Sequence, residues 1–154
     1  MTEALVAYAH FVAIIATGAA LFAEITRCHH EMQPADINKL VQIDKMYFGC
    51  ALLALFTGLA RVFLVGKGVG FYSHNPVFYI KLALFIAVGL LSIPPTLQFA
   101  RWKRALLAGE GRVLSGEQIT VTRNFLFAQL ALLLLIPLMA VLMSRGFGIQ
   151  PAHP

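Results

Sequence analysis

Four apolar runs, each about as long as a bilayer is thick, decide what this chain can fold into. A helix needs roughly 20 apolar residues to cross the hydrocarbon core of a membrane. Four segments meet that length, roughly Leu5–Ile25, Met46–Val65, Val77–Phe99 and Asn124–Ser144. The connections between them are short, so consecutive spans must run in opposite directions. The expected fold is an all-α membrane protein, a single domain over residues 1–154 built as an antiparallel four-transmembrane-helix bundle. Hydrophobic residues make up 59% of the chain and charged residues 12%, and the mean hydropathy is +0.78. A soluble domain of this size has no interior large enough for so much apolar surface. The first run does not read as a cleaved signal, because it is too long for an h-region and is preceded by Glu3 with no Lys or Arg.

The basic residues give an orientation. Arg27, Lys39 and Lys45 fall between the first two spans, and Arg101, Lys103, Arg104, Arg112 and Arg123 between the last two. On the other side of the membrane stand only Lys67 and Arg145. Excess positive charge marks cytoplasmic connections, so the expectation is a multi-pass protein of the bacterial inner (cytoplasmic) membrane with both termini periplasmic. The net charge of +5 belongs to these anchors, and no basic, aromatic-interleaved surface for nucleic acid is present. Cys28 is expected at the cytoplasmic edge and Cys50 inside the second helix, with no disulfide between them in a reducing compartment.

Chemistry enters with the lysine in the third span. Lys81 sits about one turn inside the run NPVFYIKLALFIAVGLLSIPPTLQF, where a buried charge costs roughly 3 kcal/mol unless a partner meets it. In the first span His10, Thr17 and Glu24 fall seven apart, on one face with Ala13, Ala16 and Ala20. In the second, Asp44, Tyr47, Cys50, Ala54, Thr57 and Arg61 follow heptad-like steps, a seam that faces other helices. Antiparallel packing then brings His10, Arg61 and Lys81 to one depth near the outer end, with Tyr72 and His74 in the connection above them. The helix carboxylates Glu24 and Asp44 lie at the opposite end, so the basic group wants an anionic guest. A haem or porphyrin fits, with an axial nitrogen from His10, Lys81 as sixth ligand if neutral or as a propionate or substrate partner if charged, and Arg61 or Lys67 for the propionates. A quinone headgroup or a lipid phosphate would also satisfy the charges.

Other features carry plainer expectations. Thr17 reads as a backbone-bonded hydroxyl, and Glu24 as an interfacial carboxylate, solvated or paired with Arg27. Cys28, His29 and His30 are adjacent and so do not close a tetrahedral metal site. Pro94-Pro95 predicts a kink or early stop, Trp102 among Arg101, Lys103 and Arg104 an interfacial anchor, and Ser115 to Gln118 a helix start. Pro34 suits a first helical turn, with the second helix protruding several turns below its apolar run.

The stretches YAHFVAII, GLARVFLVGKG, YSHNPVFYIKLALFIAVGLLSIPPTLQFARWKR and LLIPLMAVLMSRG resemble a bacterial family of four-helix predicted membrane proteins of unknown function. More distantly, His10 before a small-residue stretch and the pair Lys81-Leu82 are similar to the HemJ-type membrane protoporphyrinogen IX oxidases. In that family the corresponding His and Lys are implicated in haem b binding and catalysis, so the resemblance implies haem-linked redox chemistry. The resulting expectation is a haem-dependent membrane oxidoreductase working with a quinone or porphyrin. Two alternatives stand beside it. One is a non-enzymatic lipid-binding bundle or subunit, in a homo-oligomer or a larger membrane complex. The other is a copper- or proton-handling protein whose polar chain runs from His10 through Thr17 to Glu24.

Overall fold

A computed structural model describes residues 1–65, 75–109 and 114–147. Among these residues the regular structure is all helix and no strand, with α1 Thr2–Arg27, α2 Pro34–Ala60, α3 Pro76–Leu107 and α4 Gly116–Ser144. All four are long and apolar enough to span a membrane. α2 is prolonged by a π-helical turn, Arg61–Val65. Such wide turns break the regular 3.6-residue pattern and often occur at functional sites.

Local chemistry explains the starts. At α2, Pro34 takes the first helical position, and the Asp36 carboxylate accepts from the Gln33 N–H (3.0 Å). At α3, the Asn75 carbonyl oxygen accepts from the Val77 N–H (2.9 Å) ahead of Pro76. The Ser115 hydroxyl accepts from the Gln118 N–H (3.2 Å) at α4. Each satisfies a first-turn donor that has no partner within its helix.

Every pair of neighbouring helices is antiparallel. His10 meets Thr57 near one end of α1 and α2, and Arg27 meets Asp36 (3.7 Å) at the other. The Thr96 hydroxyl donates to Asp44 (2.7 Å) between α3 and α2. Gln98 reaches Gln118 between α3 and α4, and Arg123 reaches Ile25 and Cys28 between α4 and α1. The helices form two closely packed pairs, α1 with α2 and α3 with α4, joined by sparser contacts along α2/α3 and α1/α4. One end of the bundle carries the chain termini. The other, the connection end, carries the α1–α2 and α3–α4 links.

The helices outrun the hydrocarbon layer. The 32 residues of α3 extend about 48 Å at 1.5 Å per residue, against about 30 Å of membrane core. The surplus at the connection end is packed by Cys28, Met32, Ile37, Leu40, Phe99, Trp102 and Ile119, which continue the same core that runs on to Leu133 and Ile136. α2 accordingly begins well before its apolar run, as the sequence predicts.

Three expectations change here. α3 does not stop at Pro94-Pro95 but continues through both prolines to Leu107. With no water in a bilayer to take up freed backbone groups, the chain on either side stays helical. Trp102 is not an interfacial anchor. It is 1% exposed, packs on Phe99 with ring centroids 5.8 Å apart, and donates its indole N–H to Gln118 (3.3 Å). Glu24 is neither solvated nor paired with Arg27, whose guanidinium lies against Asp36 instead.

Candidate functional site

The site begins with the polar face of α1. His10, Thr17 and Glu24 are all buried, so the seven-residue spacing does mark the side turned into the bundle. The Thr17 hydroxyl donates to the Ala13 carbonyl (2.7 Å), as expected of a threonine in a helix. The α2 seam faces inward too, with Tyr47 and Ala54 buried.

At the termini end the His10 imidazole crosses from α1 to α2. Its Nδ1 lies 3.0 Å from the Thr57 hydroxyl oxygen. That hydroxyl has one proton, and it donates to the Leu53 carbonyl (2.6 Å), with Ala54 as a second acceptor (3.2 Å). The remaining lone pairs therefore accept from His10, which places the imidazole proton on Nδ1. Nε2 is left as the acceptor or ligand atom, the arrangement by which a hydrogen bond to one ring nitrogen orients the other toward a metal. Gly58 makes the close approach possible. A Cβ there would stand 3.1 Å from His10 Cε1.

Arg61 and Lys81 complete the group. The Arg61 guanidinium lies over the Phe11 ring, 5.8 Å from its centroid, a cation–π contact that holds it along α1. Arg61 and Lys81 both act electrostatically on His10, and Arg61 on Lys81. Three basic side chains from α1, the π-helical turn and α3 thus come to one level. Among the described residues the one ion pair is Arg27–Asp36, at the other end, so none of the three has a carboxylate on it. Asn75, buried above them, donates from Nδ2 to the Phe147 carbonyl (3.3 Å) and ties the start of α3 to the segment after α4. Tyr72 and His74 lie outside the described residues, as does Lys67.

The connection end is acidic and differently built. Glu24 is 2% exposed, and its Oε1 has no hydrogen-bond partner among the described residues. Asp44 and Tyr47 of α2 are its electrostatic neighbours. Gln129 of α4 is 1% exposed, and neither its amide nitrogen nor its oxygen is bonded among the described residues. Sequence reasoning missed Gln129, although it is the one polar side chain in the run LFAQLALLLLIP. Thr57 and Thr96 were also missed as partners, though Thr57 lies on the seam already recognised.

The Cys28-His29-His30 run divides rather than forming one patch. His29 Nδ1 accepts from the Glu31 N–H (3.3 Å), and His30 lies beside Gly116. Among the described residues no group of three His, Cys, Asp or Glu side chains is placed to hold a metal ion. Cys28 is fully buried. Burial pushes its thiol up to about 11, with Arg123 opposing and Glu24 adding to the shift. Between an ordinary 9.0 and about 11 the unfolded chain gives up a proton that the folded chain keeps. Cys28 therefore contributes stability below that window and loses it as pH rises. Treatment of the folded protein with iodoacetamide near pH 8 should leave Cys28 unmodified, read by peptide mass spectrometry, while the denatured chain is alkylated fully. Equal modification in both states would contradict the burial.

A groove along α3 and α4, lined by Pro94, Leu97, Gln98, Arg101, Gln118 and Phe125, contains none of the termini-end residues. A family model matches residues 2–148, and its description reads Predicted membrane protein (DUF2214). No curated protein and no solved structure matches the chain.

Proposed function

The chain belongs to this family of predicted membrane proteins, DUF2214, whose description carries no activity, and we propose that it holds an anionic, membrane-soluble cofactor between His10, Arg61 and Lys81, with haem b as the group that fits. The carrying observation is the meeting of three basic side chains from three elements with no carboxylate beside them among the described residues. An apolar bundle that gathers uncompensated cations is completed by a guest that brings negative charge. The donor chemistry supports haem. His10 has its proton committed to Thr57 through Nδ1, which leaves Nε2 to ligate iron, and Lys81 is the second ligand or the partner of a substrate. Arg61, held by Phe11, would pair with a propionate. Tyr72 and His74 are proposed to border the same site from the connection between α2 and α3. Bound haem would supply one-electron chemistry, making the protein a redox partner of a membrane quinone or porphyrin. The basic residues of the α1–α2 and α3–α4 connections favour an inner-membrane orientation with both termini periplasmic.

Purified protein supplemented with haem should show a Soret band that is lost in His10→Ala and displaced in Lys81→Ala. A protein that stays colourless overturns the haem reading.

One observation favours a second reading. His10 is 6% exposed and packs its ring edge on Gly58, a clamp already closed. Arg61 and Lys81 would then grip a lipid phosphate from outside, without an enzymatic role. Native mass spectrometry should find retained anionic phospholipid, lost when Arg61 and Lys81 are both changed to alanine.

A further inference from the structure

Two buried polar residues left unbonded among the described residues, Glu24 and Gln129, point to a second site, independent of the first. Their relative height follows from two contacts between α1 and α4. A Cβ on Gly18 would stand 3.8 Å from Leu133, and Arg123 reaches the Ile25 and Cys28 carbonyls. Gln129 falls between those contacts, level with Leu21 and about 4 Å along the axis from Glu24 at 1.5 Å per residue. Helical Cα–Cβ bonds lean toward the N-terminus of their own helix. The N-terminus of α1 is at the termini end and that of α4 at the connection end, so Glu24 and Gln129 lean toward each other.

The surrounding charges leave this pair alone. On the segment following Glu24, Arg27 is engaged by Asp36, and Cys28 is buried. From α4, Arg123 is spent on backbone carbonyls and over the Phe127 ring. From α2 come Asp44, bonded to Thr96, and Tyr47. Among the described residues, therefore, no cation compensates Glu24. Burying an uncompensated carboxylate together with an unbonded amide is too costly to persist. The remaining ways to satisfy both are a proton on the carboxyl and water between the two side chains.

We propose that Glu24 and Gln129 form a buried, water-bridged proton-binding site in the connection-end half of the bundle. The exchange conserves the proton: it leaves the Glu24 O–H through the bridging water to bulk water at the connection end, the Gln129 NH₂ donating to the carboxylate left behind, and it returns by the same path to restore the acid. Asp44 and Tyr47 lie on the α2 side of this exchange.

Dicyclohexylcarbodiimide tests the site, because it adds across the O–H of a protonated carboxyl in an apolar setting and rearranges to a stable N-acylurea. The whole chain in phospholipid vesicles should be labelled at Glu24, located by peptide mass spectrometry, and labelling should fall as pH rises. Glu24→Gln should remove that adduct. Gln129→Leu, which keeps the carboxyl but takes away the donor to its charged form, should move the pH of half-labelling upward by about one unit, a tenfold change in proton affinity. An unlabelled Glu24, labelling indifferent to pH, or a profile unchanged in Gln129→Leu would overturn the proposal. Protection by sodium or potassium ions at fixed pH would assign the site to an alkali cation and overturn it equally. None of these readings depends on a guest at His10.

Discussion

Trp102→Ala should destabilise the protein by about 3–5 kcal/mol, the usual cost of emptying a large aromatic site in a packed interior. This figure comes from proteins in water, and it applies because of where Trp102 lies. The residue is about 39 Å along α3 from Pro76, beyond a hydrocarbon core of about 30 Å. There, burial removes apolar surface from water rather than exchanging lipid for protein. The ring is 1% exposed and rests on Phe99, within the same buried cluster as Ile119, so truncation leaves a cavity that the neighbouring helices would have to close. Trp102→Phe should recover most of the loss, because the Gln118 side chain that accepts the indole N–H is exposed and can turn to water. Thermal or denaturant unfolding in detergent measures both variants, and a loss under about 1 kcal/mol for Trp102→Ala would contradict this packing.

The second large effect is expected at Arg123. Its guanidinium donates to the carbonyls of Ile25 and Cys28, in the last turn of α1, where helix carbonyls have no partner within the helix. A cation at that end also opposes the helix dipole favourably. Arg123→Met keeps the length and removes the donors, and should cost about 1.5–3 kcal/mol, the range for hydrogen bonds to charged groups. Arg123→Lys should restore only part, since both carbonyls are reached by one guanidinium nitrogen, Nη1, while the rest of the plane lies over Phe127, and a compact ammonium cannot do both. Hydrogen exchange should show the amides at the end of α1 losing protection first, Cys28 N–H among them, which is bonded to the Glu24 carbonyl (2.8 Å). Uniform loss of protection across all four helices would mean that Arg123 acts on global stability and not as the local cap.

The spans were legible because the length of an apolar run is itself the physical constraint that a bilayer imposes. The inward faces were legible for the same kind of reason: His10, Thr17 and Glu24, and the seam through Tyr47, Ala54 and Thr57, are polar or small residues at helical spacing in otherwise greasy segments. Asn75-Pro76 and Ser115 marked helix starts through chemistry local to a few residues. What failed depended on the third dimension. An aromatic among arginines reads equally as an interfacial anchor or as a core residue, and only the overhang of α3 past the membrane decides for Trp102. Arg27 had two carboxylates within reach in sequence, and the turn into α2 gave it to Asp36. Arg123 was counted with the connection, yet it lies within α4 and serves α1. Gln129 announced itself as an isolated amide in a leucine run, but its neighbour across the bundle could not be read from one helix.

The two-pair construction bears on how the molecule is made. Synthesis delivers α1 and α2 first, and their mutual contacts can form while α3 and α4 are still emerging. During that interval the flank that will later meet the other pair, carrying Asp44 on α2, has only lipid and headgroups for company. Arrival of Thr96 on α3 and Arg123 on α4 closes it, one by bonding Asp44 and the other by gripping the end of α1. The nascent first half is thus an unfinished vessel that its own second half must seal.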